Sequence, residues 1–294
     1  MPLIDMKYRK LGRTQIEVSE IGLGTEYLYY EPKQIVVSVM QEAIKNGINY
    51  FDIIFNVSHY INNVSTAIKD YKEDIILTCH VGTIEIEGRV ERSRSIRACE
   101  SALLNTLKLL GKESIDIVNI QFVKEKEYNE IISSKGLLGL ALKLQKEGKV
   151  RYIALSTHDF SVGLKAIKSG YFDAIMSPIN VINNSLEERN TFLKESEKEN
   201  IGLVAIKPFA GGKLLQKNRT VTIAKYQTGG ISLKKKIPQY VTPAKCINYV
   251  LSQKSVSTTI PGIKNLQELH DLLSYIKATN EEKDFSTLIE DFNI

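Results

Sequence analysis

The chain has no tryptophan, only three cysteines, and no apolar run that approaches a membrane span. The missing tryptophan bears on no function. Cys79, Cys99 and Cys246 lie too far apart for a metal knuckle and support no disulfide framework, so a reducing cytoplasm is the expected compartment. Residues 1–13 lack the apolar core of a signal peptide, and no membrane association is expected. One-sided charge is missing as well. The 39 Lys and Arg against 34 Asp and Glu leave +5, and both signs are spread along the chain. That argues against a nucleic-acid partner. The cluster Lys234-Lys235-Lys236, beside Gly229-Gly230, reads as a solvated loop. No internal repeat or low-complexity linker divides the 294 residues.

What is present is alternation. Apolar or β-branched runs predict strands at 21–24, 49–54, 75–80, 115–121, 152–156, 174–178, 203–207 and 257–260. Helical patterns fall between them, among others at 35–46, 92–110, 137–148, 186–199 and 242–252. Gly47, Gly111 and Gly148 close three of these, and Thr242-Pro243 opens another as a cap followed by proline. Residues 8–19 read as a short hairpin. Eight strands alternating with helices predict an α/β fold, a single (β/α)8 TIM barrel with an N-terminal β-hairpin, over residues 1–278. Residues 279–294 are expected to form a C-terminal surface tail. One connection, from Lys207 to Thr242, exceeds thirty residues and is expected to act as a lid over the barrel mouth.

The most telling stretch is Gly47-Ile48-Asn49-Tyr50-Phe51-Asp52, an apolar strand that delivers a lone carboxylate to its exit. In parallel barrels that exit is where chemistry sits. Together with Leu11-Gly12-Arg13-Thr14, the run 18–25, Glu73-Asp74-Ile75-Ile76-Leu77-Thr78, Ile115-Asp116-Ile117-Val118, Glu147-Gly148-Lys149-Val150-Arg151 and Ile260-Pro261-Gly262, this stretch resembles the aldo-keto reductase family. The ordered set spans nearly the whole chain. It looks nearest to relatives with an appended iron–sulfur domain; this sequence ends without their cysteine motifs, so no iron–sulfur cluster is expected.

The resemblance implies an NAD(P)H-dependent oxidoreductase acting on a small-molecule substrate. In that family a tyrosine donates the proton, a lysine paired with an aspartate activates it, and a histidine orients the substrate. Here the aspartate is Asp52, but the tyrosine position falls on Val57, the lysine on His80 and the histidine on Gln121. Tyr60 is a nearby substitute if the loop is displaced. Two readings of the remaining Asp52–His80 pair stand side by side: an inherited hydrogen bond that satisfies buried polar groups, or a rebuilt acid/base site in which His80 acts as general acid and Gln121 binds substrate. A barrel that has lost catalysis and serves as a nucleotide-binding or regulatory protein is the alternative function.

No metal site is expected. His59, His80, His158 and Asp52 lack ligand spacing, and adjacent Cys79 and His80 point to opposite faces of a strand. For the nucleotide, the resemblance places Gly262, Lys264 and Asn265 at a phosphate-binding turn before a helix, where free N–H groups favour an anion. Ser156 and Lys207 are further contacts, and Gly211-Gly212 reads as a turn or an anion-binding nest. Glu268 stands where relatives carry a basic residue toward the adenosine phosphate, Leu272 replaces a polar residue near the adenine, and Ile206 an aromatic beside the nicotinamide. His270 is expected at the surface.

Overall fold

The computed structural model describes residues 5–71, 75–225 and 232–292. Glu73-Asp74, Gly229-Gly230 and Ile294 therefore lie outside the described residues. Eight parallel strands form one sheet: Leu23–Gly24, Tyr50–Ile53, Ile76–Val81, Ile115–Ile120, Val150–Ser156, Ala174–Pro178, Gly202–Ile206 and Val256–Ile260. Neighbours follow chain order, and bridges Ile21–Thr259 and Gly24–Gly262 bring the last strand back to the first. The sheet closes into a (β/α)8 barrel. Helices on its outside cover one face of every strand, which is why the strands read as continuous apolar runs.

The hairpin Tyr8–Lys10 with Glu17–Ser19 seals the N-terminal end. Its Leu11, Ile16 and Val18 pack with Tyr50, Ile117 and Val204 inside the barrel. The chain passes so close that a Cβ on Gly12 would lie 2.1 Å from the Gly202 nitrogen, at φ +52°. Only glycine tolerates both constraints. Gly12→Ala should therefore lower the unfolding free energy by about 2–3 kcal/mol in urea denaturation; an unchanged midpoint would mean the hairpin does not hold the barrel floor.

Three segments depart from the sequence expectations. The helix expected from Arg92 begins at Ile96, capped by Ser95, because 83–92 is a hairpin, Thr83–Ile86 with Arg89–Arg92. Glu87 and Gly88, at φ +50° and +76°, make its two-residue turn. The connection after Lys207 is not one uninterrupted loop: residues from 208 to 216 border the barrel mouth, and Thr220–Lys225 pairs with Ser232–Lys236. Lastly, the tail packs as two short helices, Asn280–Lys283 and Ser286–Phe292. Phe285, Leu288 and Phe292 recur at helical spacing, and the latter two are fully buried. An apolar stripe of this kind cannot stay on the surface.

Candidate active site

A cavity of about 790 Å³ opens at the C-terminal ends of the strands, within the usual range of about 300–1,000 Å³ for small-molecule sites. Asp52 and His80, carried on adjacent strands, form part of its floor. His80 Nε2 meets Asp52 Oδ1 at 2.7 Å, and both residues are buried. The His80 carbonyl accepts from Asn56 Nδ2 at 2.6 Å, while Asn56 Oδ1 accepts from Thr106, which locks the strand end. Nδ1 of His80 is buried and has no hydrogen-bond partner among the described residues. An imidazole held at one nitrogen and unsatisfied at the other lacks half of its hydrogen bonding. Cys79 points the other way, into the core under the helices.

Gln121 ends the next strand and lines the same cavity; its Oε1 is likewise buried without a partner. Val57 does not line the cavity. It is fully buried just before helix Ser58–Ile68. Tyr60 is buried in that helix, with its hydroxyl on Thr25 Oγ1, and burial pushes its pKa up. Thr25 in turn donates to the Asp52 carbonyl at 2.5 Å. Tyr60 therefore supports the strand carrying Asp52 and does not face a substrate. His59 lies outside against Tyr29, and among the described residues no three His, Cys, Asp or Glu side chains converge on a metal position.

Ser156 and His158 border the cavity from the fifth strand, beside Phe122. The His158 and Phe122 rings meet edge-on at 4.7 Å. His158 is exposed at the cavity rim, and partial desolvation of its ring, then the Lys207 ammonium, lower its pKa to about 4. Its folded value is thus below the unfolded one. Any stability it contributes is present above the ordinary value near 6.5 and is lost as the pH falls toward about 4. An NMR titration should find His158 neutral through the physiological range, and Lys207→Met should raise its midpoint. A wild-type midpoint near 6.5 would mean that solvent screens both effects.

The far end of the cavity is bordered by Gly262, Lys264, Glu268 and Leu272. A Cβ on Gly262 would sit 2.7 Å from the Tyr27 ring, and Lys264 Nζ lies 5.6 Å from that ring's centre. Asn265 is not among the lining residues. Its side chain caps helix Leu266–Lys277 by accepting from the Glu268 N–H at 2.9 Å. Glu268 reaches back, and its carboxylate accepts from the Lys264 N–H at 2.8 Å. One amide expected to meet a phosphate is thus already occupied by the chain's own acid. Opposite, Lys207, Gly211 and Gly212 line the cavity with φ of +54°, +67° and +79°. The Gly211 and Gly212 amides donate to no backbone carbonyl among the described residues, which suits an anion-binding concavity. His270 is exposed, 3.7 Å from Glu42.

Tyr27 and Arg92 are lining residues to which the sequence assigns no role. Tyr27 lies three residues past the first strand, Leu23–Gly24, at the kind of strand exit where barrel sites are built. Arg92 arrives through the unexpected hairpin and carries no signal of its own. Arg92 and Lys124 stand 5.9 and 5.2 Å from the Phe122 ring centre. Phe122 itself adopts φ +49° immediately after its strand, the kind of strained position that accumulates at functional sites.

Comparison with known proteins agrees with this architecture. Residues 20–291 match the family model described as Aldo/keto reductase family. The Bacillus subtilis (strain 168) protein named "Uncharacterized oxidoreductase YqkF" is 26% identical over 300 aligned residues, covering 94% of each chain. Among solved structures, the holo form of aldo-keto reductase AKR11C1 from Bacillus halodurans superposes with a TM-score of 0.78. It is 21% identical, and the match covers 98% of this chain and 97% of that one.

Proposed function

Because this chain belongs to the aldo/keto reductase family, we propose that it is an NAD(P)H-dependent oxidoreductase of small carbonyl compounds with a rebuilt proton site. The observation that carries this reading is the buried Asp52–His80 hydrogen bond at the floor of a cavity that continues to Lys207, Gly211, Gly212 and Lys264. Lys207, the Gly211 and Gly212 amides and Lys264 would hold the nucleotide's phosphates, with Ser156 and Ile206 beside its nicotinamide end. A bound nicotinamide supplies hydride there. The chain's own residues handle the proton. Asp52 accepts the Nε2–H of His80, so His80 takes up and releases its second proton at Nδ1. Released to a carbonyl oxygen as that oxygen gains negative charge, the proton leaves a neutral imidazole still anchored on Asp52. Gln121 would orient the same carbonyl compound.

Glu268 governs the choice of nucleotide. Its carboxylate, fixed on the helix start, repels an additional phosphate group nearby. Fluorescence titration should therefore give Kd values for NADH and NADPH within about tenfold of each other, and Glu268→Arg should tighten NADPH selectively. No binding of either nucleotide would refute the oxidoreductase reading. Tight binding without turnover of any carbonyl would instead favour the alternative, a nucleotide-binding or regulatory barrel, which the burial of Val57 and Tyr60 away from the cavity supports.

A further inference from the structure

Outside the barrel, between helix Glu187–Lys198 and the segment 252–255 that follows helix Pro243–Leu251, lies a second cleft of about 400 Å³ that shares no residue with the first. Arg189 lines it and is only 3% exposed. Buried guanidinium groups are ordinarily balanced by a carboxylate. Here, among the described residues, none stands within ion-pair distance of Arg189. Its hydrogen bonds go to neutral oxygens: Nη1 to Asn190 Oδ1 and Nη2 to the Tyr249 hydroxyl, both at 2.8 Å. That hydroxyl donates onward to Asn184 Oδ1 at 2.7 Å. Nε is buried and has no partner among the described residues. Burial pulls the Arg189 pKa down, as expected for a charge that its surroundings do not balance.

The rest of the cleft does not supply the missing charge. Lys194 and Lys254 stand exposed along it, Ser252 and Ser255 add hydroxyls, and Glu197 is its single acid. Three cations against one carboxylate leave a positive cleft with a desolvated guanidinium lining it. We infer that this cleft binds a phosphate group, as the free ion or as a phosphate ester, with Arg189 inside and Lys194 and Lys254 at the rim. A compact polyanion with several acceptor oxygens matches a guanidinium with unused donors, two ammonium groups and two hydroxyls. The site is independent of the nucleotide cavity.

The test measures thermal unfolding and calorimetric binding of the full chain with inorganic phosphate, and in parallel with glycerol phosphate. Potassium chloride at equal ionic strength is the control. Phosphate should raise the midpoint beyond chloride, because a ligand of the folded state stabilises it by mass action. The increment should persist in Lys264→Ala, which removes a cation from the other cavity. In Lys194→Ser/Lys254→Ser the Kd should weaken by about tenfold or more. Arg189→Met should abolish the increment, yet melt no lower than wild type without phosphate, since it removes an uncompensated buried charge. If Arg189→Met fails to fold, the double lysine variant decides. No increment over chloride with either probe, or one that the double variant leaves intact, would overturn the proposal.

Discussion

Wild-type protein should reduce a simple aldehyde with NADPH about 10²–10⁴-fold more slowly than a reductase with a positioned phenol, the usual contribution of an aligned general acid. In this cavity the phenol's place is vacant, because Val57 is buried behind the wall and Tyr60 is committed to Thr25. Restoring the tyrosine alone should fail. A tyrosine at 57 would have to fit a fully buried valine's space, where overpacking costs about 1–3 kcal/mol. Even if it turned into the cavity, it would meet a histidine in place of lysine, a shorter and pH-dependent cation. Steady-state rates are therefore expected to be similar for wild type and Val57→Tyr, and to rise only in Val57→Tyr/His80→Lys, with circular dichroism checking that each variant folds. Vigorous NADPH-dependent turnover by the wild type would show that His80, or a further group lining the cavity, donates the proton as well as a phenol does. Tyr27 and His158, which both line the cavity, would then be the residues to replace.

Removing the carboxylate from Asp52 should be the most damaging single change to stability near the site. Asp52→Ala leaves His80 buried with neither ring nitrogen satisfied, which should lower the unfolding free energy by about 3–5 kcal/mol. Asp52→Asn retains an oxygen at hydrogen-bond distance and should cost less, about 1–3 kcal/mol. Urea denaturation at neutral pH measures both. If the pair also moves the proton, Asp52→Asn should lose carbonyl reduction while binding NADH as tightly as wild type. Equal stability of Asp52→Ala and wild type would mean that the pair carries little folding energy, and the structural role would not survive that result.

Much of the architecture was legible in the order of residues because it depends on local periodicity. A parallel barrel strand is covered on both sides, so it reads as an apolar run, and glycine or a cap marks each helix end. The pairing of Asp52 with His80 was implied by the family resemblance, which put both at the exits of neighbouring strands. Elements stabilised by their own short turns were less visible. The 83–92 hairpin depends on Glu87 accepting a positive φ, and nothing in its residue type announces that.

The sequence by itself determined the barrel, the placement of a polar cluster at its mouth and the absence of a phenol at position 57. These are consequences of alternation and of residue identity. Only the tertiary structure decided that Tyr60 faces Thr25, that Asn265 caps a helix and that Glu268 occupies the Lys264 amide. It alone placed Arg189 in the wall of a second cleft with no carboxylate within ion-pair distance among the described residues. The physical reason is that hydrogen bonds and charge balance are settled between groups distant in the chain. A residue's type states what it can donate or accept, and the folded neighbourhood decides which of those capacities remains free.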